Sequence, residues 1–162
     1  MKKRYFLLGG GATIGAAWLS QYVSAKSETE IAIAKTKFEI NKTEEEWRKI
    51  LTRQQFQVLR QEGTEAPGTS PLVKEHRTGT FACSGCELPL FTSNTKYESG
   101  TGWPSFYASI ENAIETRQDG SRKEVHCRRC GGHLGHVFDD GPDPTGLRYC
   151  MNGVSLKFTA SS

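Results

Sequence analysis

The chain contains two Cys-x-x-Cys motifs, Cys83-Ser84-Gly85-Cys86 and Cys127-Arg128-Arg129-Cys130, with 40 residues between them. Each motif is typical of a tight turn that presents two thiolates to one metal ion, and two such turns complete a tetrahedral shell of four sulfurs. Gly85 in the first motif and Gly131-Gly132 after the second free the backbone for these turns. A metal bound there would join two hairpins that are far apart in sequence, so the two motifs decide how the chain folds.

Zinc is the metal that we expect at this site. Nothing in the sequence demands redox chemistry at the metal, and zinc held by four thiolates is the common structural arrangement, although iron also accepts four sulfurs. Since sulfur fills every coordination position, the ion has no open position for a substrate, and its role is structural. Two alternatives use the same cysteines: a pair of structural disulfides, or a redox-active dithiol.

Two short helices are predicted before the first motif, over residues 44–62. Thr43-Glu44-Glu45-Glu46 and Thr52-Arg53-Gln54-Gln55 each fit the capping box that starts a helix, and Gly63 is the predicted stop. The apolar side chains that follow each cap fall on one helix face and are predicted to pack in the core: Trp47, Ile50, Leu51, Phe56 and Leu59.

From Gly68 onward, the segments are short and rich in Gly, Pro, Ser, Thr and aromatic residues, which indicates small antiparallel sheets joined by turns. The predicted strands are Gly79–Ala82, Glu124–Cys127, His136–Phe138, Arg148–Asn152 and Ser155–Thr159. Residues 141–146, which contain two prolines and two glycines, are predicted to form a tight loop that leads to Arg148.

The composition limits the class of protein. The chain has 162 residues, 36% hydrophobic and 24% charged, which fits one soluble domain with attachments and excludes a multi-span membrane protein, a fibre or a highly charged disordered chain. The net charge of +3 comes from Lys2, Lys3 and Arg4, and residues 26–162 carry 18 basic and 18 acidic side chains. Because these residues carry no net charge, we do not expect them to bind nucleic acid or a membrane over a large surface.

The first 25 residues resemble an export signal. A basic start leads into an uncharged run from Tyr5 to Leu19, and Val23-Ser24-Ala25 suits cleavage before Lys26. Lys3-Arg4-Tyr5-Phe6-Leu7 also resembles a weakened twin-arginine signal, which exports proteins that have already folded and could therefore carry a metal loaded in the cytosol. The alternative is a retained membrane anchor.

These features divide the chain into three parts. Residues 1–25 are expected to be the export signal or anchor, residues 26–42 a polar connector, and residues 43–160 the functional domain. We therefore expect the protein in the periplasm or another extracytoplasmic compartment.

One cysteine, Cys150, is left over once the metal ligands are assigned. On an extended segment Arg148, Cys150 and Asn152 share one face, because side chains alternate along a strand. A guanidinium beside a thiol favours the thiolate, and the Asn152 amide can hydrogen-bond a polar group of a ligand. Cys150 is thus a candidate nucleophile, the alternative being a small, buried and inert side chain.

Two further motifs supply candidate partners for Cys150. His133-Leu134-Gly135-His136 can orient or donate a proton near neutral pH, although both histidines could instead be structural or extra metal ligands. Trp103-Pro104-Ser105-Phe106 can form an aromatic wall that contacts methyl and sulfur-bearing groups, or plain core. A thiolate, a proton donor and an aromatic pocket favour reductive attack on an electrophilic heteroatom that bears a methyl group.

Together these motifs resemble those of the methionine-R-sulfoxide reductases, the enzymes that act on the R epimer. The matching stretches are Ser99–Phe106, Cys127–Pro142 and Arg148–Asn152, and the resemblance runs from about Thr43 to Phe158, including Gly63–Glu65 and Cys83–Phe91. It implies a mainly β fold of two small antiparallel sheets with short N-terminal helices. It also implies one zinc per chain, held by the four matching cysteines Cys83, Cys86, Cys127 and Cys130.

The resemblance implies that Cys150 attacks the sulfoxide sulfur, that methionine leaves, and that Cys150 becomes a sulfenic acid. The proton for the sulfoxide oxygen is expected from His136, with His133 assisting. The other matching positions are expected to support the reaction or contact the substrate: Asn152, Trp103, Phe106 and Arg148. The implied task is repair of oxidised methionine in proteins and peptides.

Several positions depart from the family pattern. Many members carry a resolving cysteine where this chain has Thr101, and the chain has no sixth cysteine. We therefore expect an external thiol to reduce the sulfenic acid: a thioredoxin-like protein, a glutaredoxin system or a small thiol. Met151, Gly153 and Arg53 also differ from the usual residues. No nucleic-acid partner is expected, and the protein is expected to be a monomer.

Two other functions are compatible with parts of the sequence. One is a zinc-ribbon interaction module in which Cys150 is buried and inert. The other is a secreted structural protein linked by disulfides. The neutral body and the shared face of Arg148, Cys150 and Asn152 argue against the first.

Overall fold

Two helices open the part of the chain, residues 38–161, that the computed structural model describes. Helix α1 spans Glu44–Ile50 and helix α2 spans Arg53–Gln61. Both predicted capping boxes are present: the Thr43 and Thr52 hydroxyls each accept a hydrogen bond from the backbone N–H three residues on, and the side chain of that residue accepts one from the backbone N–H of the threonine. Such a cap stabilises a helix by about 1 kcal/mol.

Nine antiparallel strands follow. They are β1 (Gly79–Cys83), β2 (Pro89–Thr92), β3 (Lys96–Tyr97), β4 (Ser105–Phe106), β5 (Ile114–Asp119), β6 (Arg122–Cys127), β7 (His133–Phe138), β8 (Arg148–Met151) and β9 (Leu156–Ala160). One sheet has the order β2-β1-β9 and the other has the order β3-β4-β8-β7-β6-β5. The predicted class, mainly β with two antiparallel sheets and short N-terminal helices, is confirmed.

Aromatic side chains join the two sheets. Phe91 of β2 stacks on Phe106 of β4 with ring centroids 4.4 Å apart, and Phe81 of β1 meets the same ring edge-on at 5.0 Å. The four helix residues that complete this core were all predicted to be buried: Trp47, Leu51, Phe56 and Leu59. Ile50 was predicted to join them but is 56% exposed, because it lies in the last turn of α1 and faces away from the core.

Every predicted strand is present, with ends displaced by at most three residues. Strands β2, β3, β4 and β5 were not predicted. Five of the six residues of β5 are polar and the strand lies at a sheet edge, so it lacks the alternation of apolar and polar residues that marks a half-buried strand. Strand β2 begins with Pro89, which is common only at strand starts and edges.

The ends of two predicted segments also differ. The residue in the left-handed conformation after α2 is Glu62, with φ 56°, rather than the predicted stop Gly63. Residues 38–42 were expected to be connector, yet the backbone N–H of Ile40 donates to the carbonyl of Arg129 at 3.0 Å and its side chain packs on the core. The domain therefore begins before Thr43.

The predicted signal or anchor of residues 1–25, and most of the predicted connector, lie outside the described residues. Within residues 38–161, no helix has the length and apolar character needed to cross a membrane.

Candidate active site and metal centre

The cysteines of the two Cys-x-x-Cys motifs meet at one point. Cys83 ends β1, Cys127 ends β6, and the second cysteine of each motif follows in the next turn. The Sγ atoms of Cys83 and Cys130 are 3.7 Å apart, those of Cys86 and Cys127 are 3.5 Å apart, and all four lie within 4.8 Å of one another. Sulfurs held about 2.3 Å from a central zinc lie about 3.8 Å from each other, so the cluster has the size of a tetrahedral zinc site.

Both motifs form the same turn. The backbone N–H of the residue four positions after the first cysteine, Glu87 or Gly131, donates to that cysteine's carbonyl at 2.8 Å. These residues have positive φ values of 58° and 65°, whereas Gly85, predicted to free the first turn, does not. Gly131 is required for a second reason: a Cβ there would lie 2.3 Å from the Phe38 ring.

All five cysteines of the chain are free thiols. The sulfur separations in the cluster are well above the length of a disulfide bond, about 2.05 Å. Hydrogen bonds among the sulfurs, the one with Cys127 first in both cases, lower the pKa of the Cys86 thiol and raise that of Cys83. The neighbouring sulfurs therefore do not all ionise on their own, and a divalent cation, which binds the deprotonated form, would supply the missing positive charge.

Cys150 lies apart from the cluster, on β8, where it is partly exposed at a pocket of about 130 Å³. The residues that line this pocket are Thr64, Trp103, Arg122, Gly135, His136, Phe138, Cys150 and Asn152. Four of the predicted site residues therefore meet here: Trp103, His136, Cys150 and Asn152.

Strand register places a histidine directly opposite Cys150. Strand β7 pairs with β8 so that His136 faces Cys150, and β4 pairs on the other side so that Ser105 faces it. Directly opposed residues of antiparallel strands point to the same face of a sheet, so these three side chains share a face. Gly135 allows the close approach, because a Cβ there would lie 2.1 Å from the Cys150 carbonyl oxygen.

Each histidine of the His133–His136 motif donates to its own carboxylate. His136 Nε2 donates to Asp119 Oδ2 at 2.9 Å, and His133 Nδ1 donates to Glu124 Oε1 at 2.7 Å. The two rings touch edge-on with centroids 5.4 Å apart. His133 is not among the described residues that line the Cys150 pocket. Its ring contacts the ring of His136, which does line the pocket.

The two carboxylates are ionised under neutral conditions. The hydrogen bond from His136 is the main cause that lowers the pKa of Asp119. Burial acts against ionisation of Glu124, but the hydrogen bond from His133 and the charge of Arg117 together lower its pKa. Burial lowers the pKa of His133, because it disfavours the charged form of the ring. We therefore infer that a neutral His133 donates to a charged Glu124.

Glu65 holds two of the pocket residues in place. Its backbone carbonyl accepts from Trp103 Nε1 at 3.1 Å, and its backbone N–H donates to Asn152 Oδ1 at 2.9 Å. The buried Glu65 carboxylate accepts from the backbone N–H groups of residues 153 and 154, while Asn152 Nδ2 donates to the Leu134 carbonyl at 3.1 Å. The Asn152 amide is therefore fixed by the protein on both its oxygen and its nitrogen.

Arg148 was predicted to bind substrate, but its guanidinium is bonded elsewhere. It donates two hydrogen bonds of 2.8 Å to Asp140 and stacks on the Phe138 ring at 4.3 Å. Among the described residues, it does not line the Cys150 pocket. The hydrogen bond to Asp140 is the main cause that raises the pKa of Arg148, and the nearby Cys150 acts in the same direction. Arg148 therefore carries its charge near Cys150, while its hydrogen bonds go to Asp140.

Phe106 requires a correction. It was predicted to seat the substrate methyl group beside Trp103, but it is fully buried and stacks on Phe91. Phe106 lies opposite Tyr149, one residue from Cys150, and so points to the other face of the sheet. The second aromatic ring at the pocket is Phe138.

Thr101, the position of the resolving cysteine in many methionine-R-sulfoxide reductases, lies beside Cys150. Its Oγ1 is 3.9 Å from Cys150 Sγ. The Ser99 hydroxyl bonds both to Thr101 Oγ1 at 2.8 Å and to Ser105 Oγ at 2.7 Å. The Thr101 hydroxyl beside the Cys150 sulfur is therefore linked through Ser99 to the Ser105 hydroxyl.

Sequence reasoning missed the two carboxylates, Asp119 and Glu124. A usable signal was present: Gly120-Ser121 is a common two-residue hairpin turn, and it pairs β5 with β6. In the sheet, Glu124 lies on the strand next to the histidines, and Asp119 lies one strand further out. Which atom each carboxylate contacts depends on the register of β6 against β7, which the sequence does not reveal.

Residues 51–160 match the family described as the SelR domain. A relative from Leptospira interrogans named peptide methionine sulfoxide reductase MsrB is 52% identical over 126 residues, which cover 75% of this chain and 96% of the relative. A Pseudomonas putida protein of the same name is 57% identical over 124 residues, covering 74% and 93%. A crystal structure of the Mis18 'Yippee-like' domain covers 53% of this chain and 99% of that one, with 19% identity and a TM-score of 0.46. The SelR match and these identities show that the chain belongs to the MsrB family.

Proposed function

We propose that this protein reduces methionine-R-sulfoxide in peptides and proteins to methionine, and so repairs oxidised methionine. The observation that carries the proposal is the placement of the Cys150 thiol opposite His136, at a pocket that Trp103 and Phe138 line. This arrangement combines a nucleophile, a proton donor and an aromatic surface suited to a methyl thioether.

In the first step, the Cys150 thiolate attacks the sulfoxide sulfur and forms a sulfur–sulfur contact while the sulfur–oxygen bond weakens. The oxygen takes a proton from His136 and is transferred to Cys150, which becomes a sulfenic acid as methionine leaves. The sulfoxide is reduced by two electrons and Cys150 is oxidised by two. Arg148 places a positive charge near Cys150, Trp103 holds the methyl group, and Asn152 fixes one wall of the pocket.

The second step returns Cys150 to the thiol. Two external thiol groups reduce the sulfenic acid and leave as a disulfide with one molecule of water. Thr101 cannot supply one of these thiols, and the other four cysteines belong to the cluster. A thioredoxin-like protein, a glutaredoxin system or a small thiol is the proposed reductant.

The four clustered cysteines, Cys83, Cys86, Cys127 and Cys130, are proposed to hold one structural zinc ion. Zinc bound there supplies folding free energy and takes no part in the reaction, since four sulfurs leave no open position. Its effect is to fix the end of β1, in one sheet, to the end of β6, in the other.

Export is a separate proposal. It rests on the basic, uncharged and small-residue segments of residues 1–25 and places the enzyme in an extracytoplasmic compartment. Sequencing the N-terminus of protein from soluble and membrane fractions tests it: a start at Lys26 supports cleavage, and an intact start in the membrane fraction supports an anchor.

The central experiment measures reduction of blocked methionine sulfoxide by the purified chain, with each epimer separately and with thioredoxin, glutaredoxin or dithiothreitol as donor. We expect turnover of the R epimer only, and rapid alkylation of Cys150 at neutral pH. Equal rates for both epimers, or a Cys150→Ala variant with full turnover, would refute the proposal.

A further inference from the structure

Asp119 is fixed in space more firmly than an exposed acidic side chain usually is. It ends β5 and pairs with Arg122 across the two-residue turn Gly120-Ser121. Its Oδ2 atom accepts from Arg122 at 2.9 Å and from His136 Nε2 at 2.9 Å. The backbone turn, a guanidinium and an imidazole therefore fix the position of this one carboxylate.

The two histidine–carboxylate pairs have different surroundings. Glu124 and His133 are both 3% exposed and lie away from the Cys150 pocket, so that pair is closed to a ligand. Asp119 is 45% exposed, and its partner His136 lines the pocket. Of the two pairs, the Asp119–His136 pair is therefore the one that lies at the Cys150 pocket.

We propose that Asp119 is a positioning residue for His136, whose ring it holds in one tautomer and one orientation; this inference rests on the proposed role of His136 in sulfoxide reduction. A carboxylate that accepts from one ring nitrogen fixes the proton there and orients the ring. With Nε2–H committed to Asp119, the proton that passes to the sulfoxide oxygen leaves from Nδ1. Neutral His136 then remains hydrogen-bonded to Asp119.

A kinetic experiment on the full zinc-loaded chain tests this role through kcat and KM for a blocked methionine-R-sulfoxide. Asp119→Ala removes both acceptor and charge, and we expect kcat to fall about tenfold, at the low end for partners that orient a functional histidine, with KM unchanged. The Asp119→Asn variant keeps a hydrogen-bond acceptor without the charge, and its kcat should lie between those of the wild type and Asp119→Ala. Glu115→Gln is the matched control: this carboxylate lies on the same strand, 3.5 Å from His126, and its loss should leave kcat unchanged.

A double-mutant cycle separates positioning from general damage. In a His136→Gln background, Asp119→Ala should cause no further loss, because its effect passes through that ring. An equal loss in both backgrounds, or wild-type kcat in Asp119→Ala, would overturn the inference while leaving the proposed function intact. Wild-type kcat in His136→Gln would instead remove the proton-donor role from the proposed function, and this inference with it.

A spectroscopic experiment tests the same inference without turnover. The ¹⁵N chemical shifts of the histidine rings report which nitrogen carries the proton. We expect neutral His136 to be the Nε2–H tautomer in the wild-type chain and a mixture of tautomers in Asp119→Ala. An Nδ1–H tautomer in the wild type would contradict the assignment.

Discussion

The cysteines of this molecule lie in two regions, and their surroundings suit them to different roles. At the ends of β1 and β6, four cysteines lie within 4.8 Å of one another, and three of the four are buried. On β8, Cys150 stands among hydroxyl groups and a histidine, partly open to solvent. Reactivity of a thiol therefore follows from what surrounds it: sulfur neighbours suit it to bind a metal, and a proton donor at an open pocket suits it to react.

The largest expected effect comes from a change in the metal region. Cys127→Ser removes one of four ligands, and structural zinc contributes about 10–16 kcal/mol in zinc-finger peptides, as much as the whole stability of a typical domain. We expect this variant to lose zinc and to lose its cooperative unfolding transition, as measured by metal analysis and circular dichroism. A folded Cys127→Ser chain with the wild-type Tm would contradict a structural metal.

The second largest expected effect comes from a change in the reactive region, at Cys150. Cys150→Ser should lower kcat for the R sulfoxide by more than about 10³-fold, because a serine hydroxyl is a far weaker nucleophile than a thiolate. The free energy of unfolding should change by less than about 1 kcal/mol, since the replacement is nearly isosteric. Denaturant unfolding and zinc content of the same preparation provide the comparison, and loss of zinc in this variant would show that the two regions are not independent.

A smaller change makes the reactive region resemble the metal region. Thr101→Cys places a second sulfur beside Cys150, where Oγ1 now lies 3.9 Å from Sγ. We expect one turnover without reductant to yield an intramolecular disulfide, seen as a loss of two hydrogens by mass spectrometry, in place of the sulfenic acid that dimedone traps in the wild type. Thr101→Ser is the control and should retain the sulfenic acid.

The smallest expected effect concerns acid stability. Burial lowers the pKa of His133 below its ordinary 6.5, so the folded chain resists a proton that the unfolded chain accepts, and stability is lost as pH falls below about 6.5. The lowered pKa of Glu124 adds a second loss below its ordinary 4.5, as that carboxylate is protonated. His133→Gln should reduce the first step and keep the second; part of the first step should remain, because burial also lowers the pKa of His126.

Denaturant unfolding between pH 7.5 and pH 5.5, with zinc content checked at each pH, measures the first step. Identical pH profiles for the wild type and His133→Gln would show that another group carries the acid sensitivity.

Local rules were enough to predict some features of this chain and not others. The capping boxes at Thr43 and Thr52 identified both helices, because a cap depends on neighbouring residues only. The spacing of the four cysteines likewise predicted a cluster that the structure confirms. Phe106 was misplaced because its direction is set by pairing with Tyr149, a contact between distant parts of the chain.

The partners of the predicted site residues depended on distant parts of the chain in the same way. Asp119 contacts His136 across an intervening strand, and Glu65 contacts Asn152 over 87 positions of sequence. Periodicity reports on one element at a time, so it identified Cys150 and His136 but not the groups that fix them.

Strand β5 has a consequence for how copies of this protein meet. It is the outermost strand of the six-stranded sheet, and charged side chains alternate along it at Glu115, Arg117 and Asp119. Charged side chains on an edge strand disfavour the addition of a strand from another molecule. The side chains that bond His136 and Glu124, Asp119 and Arg117, thereby also protect the open edge of the sheet from pairing with a second molecule.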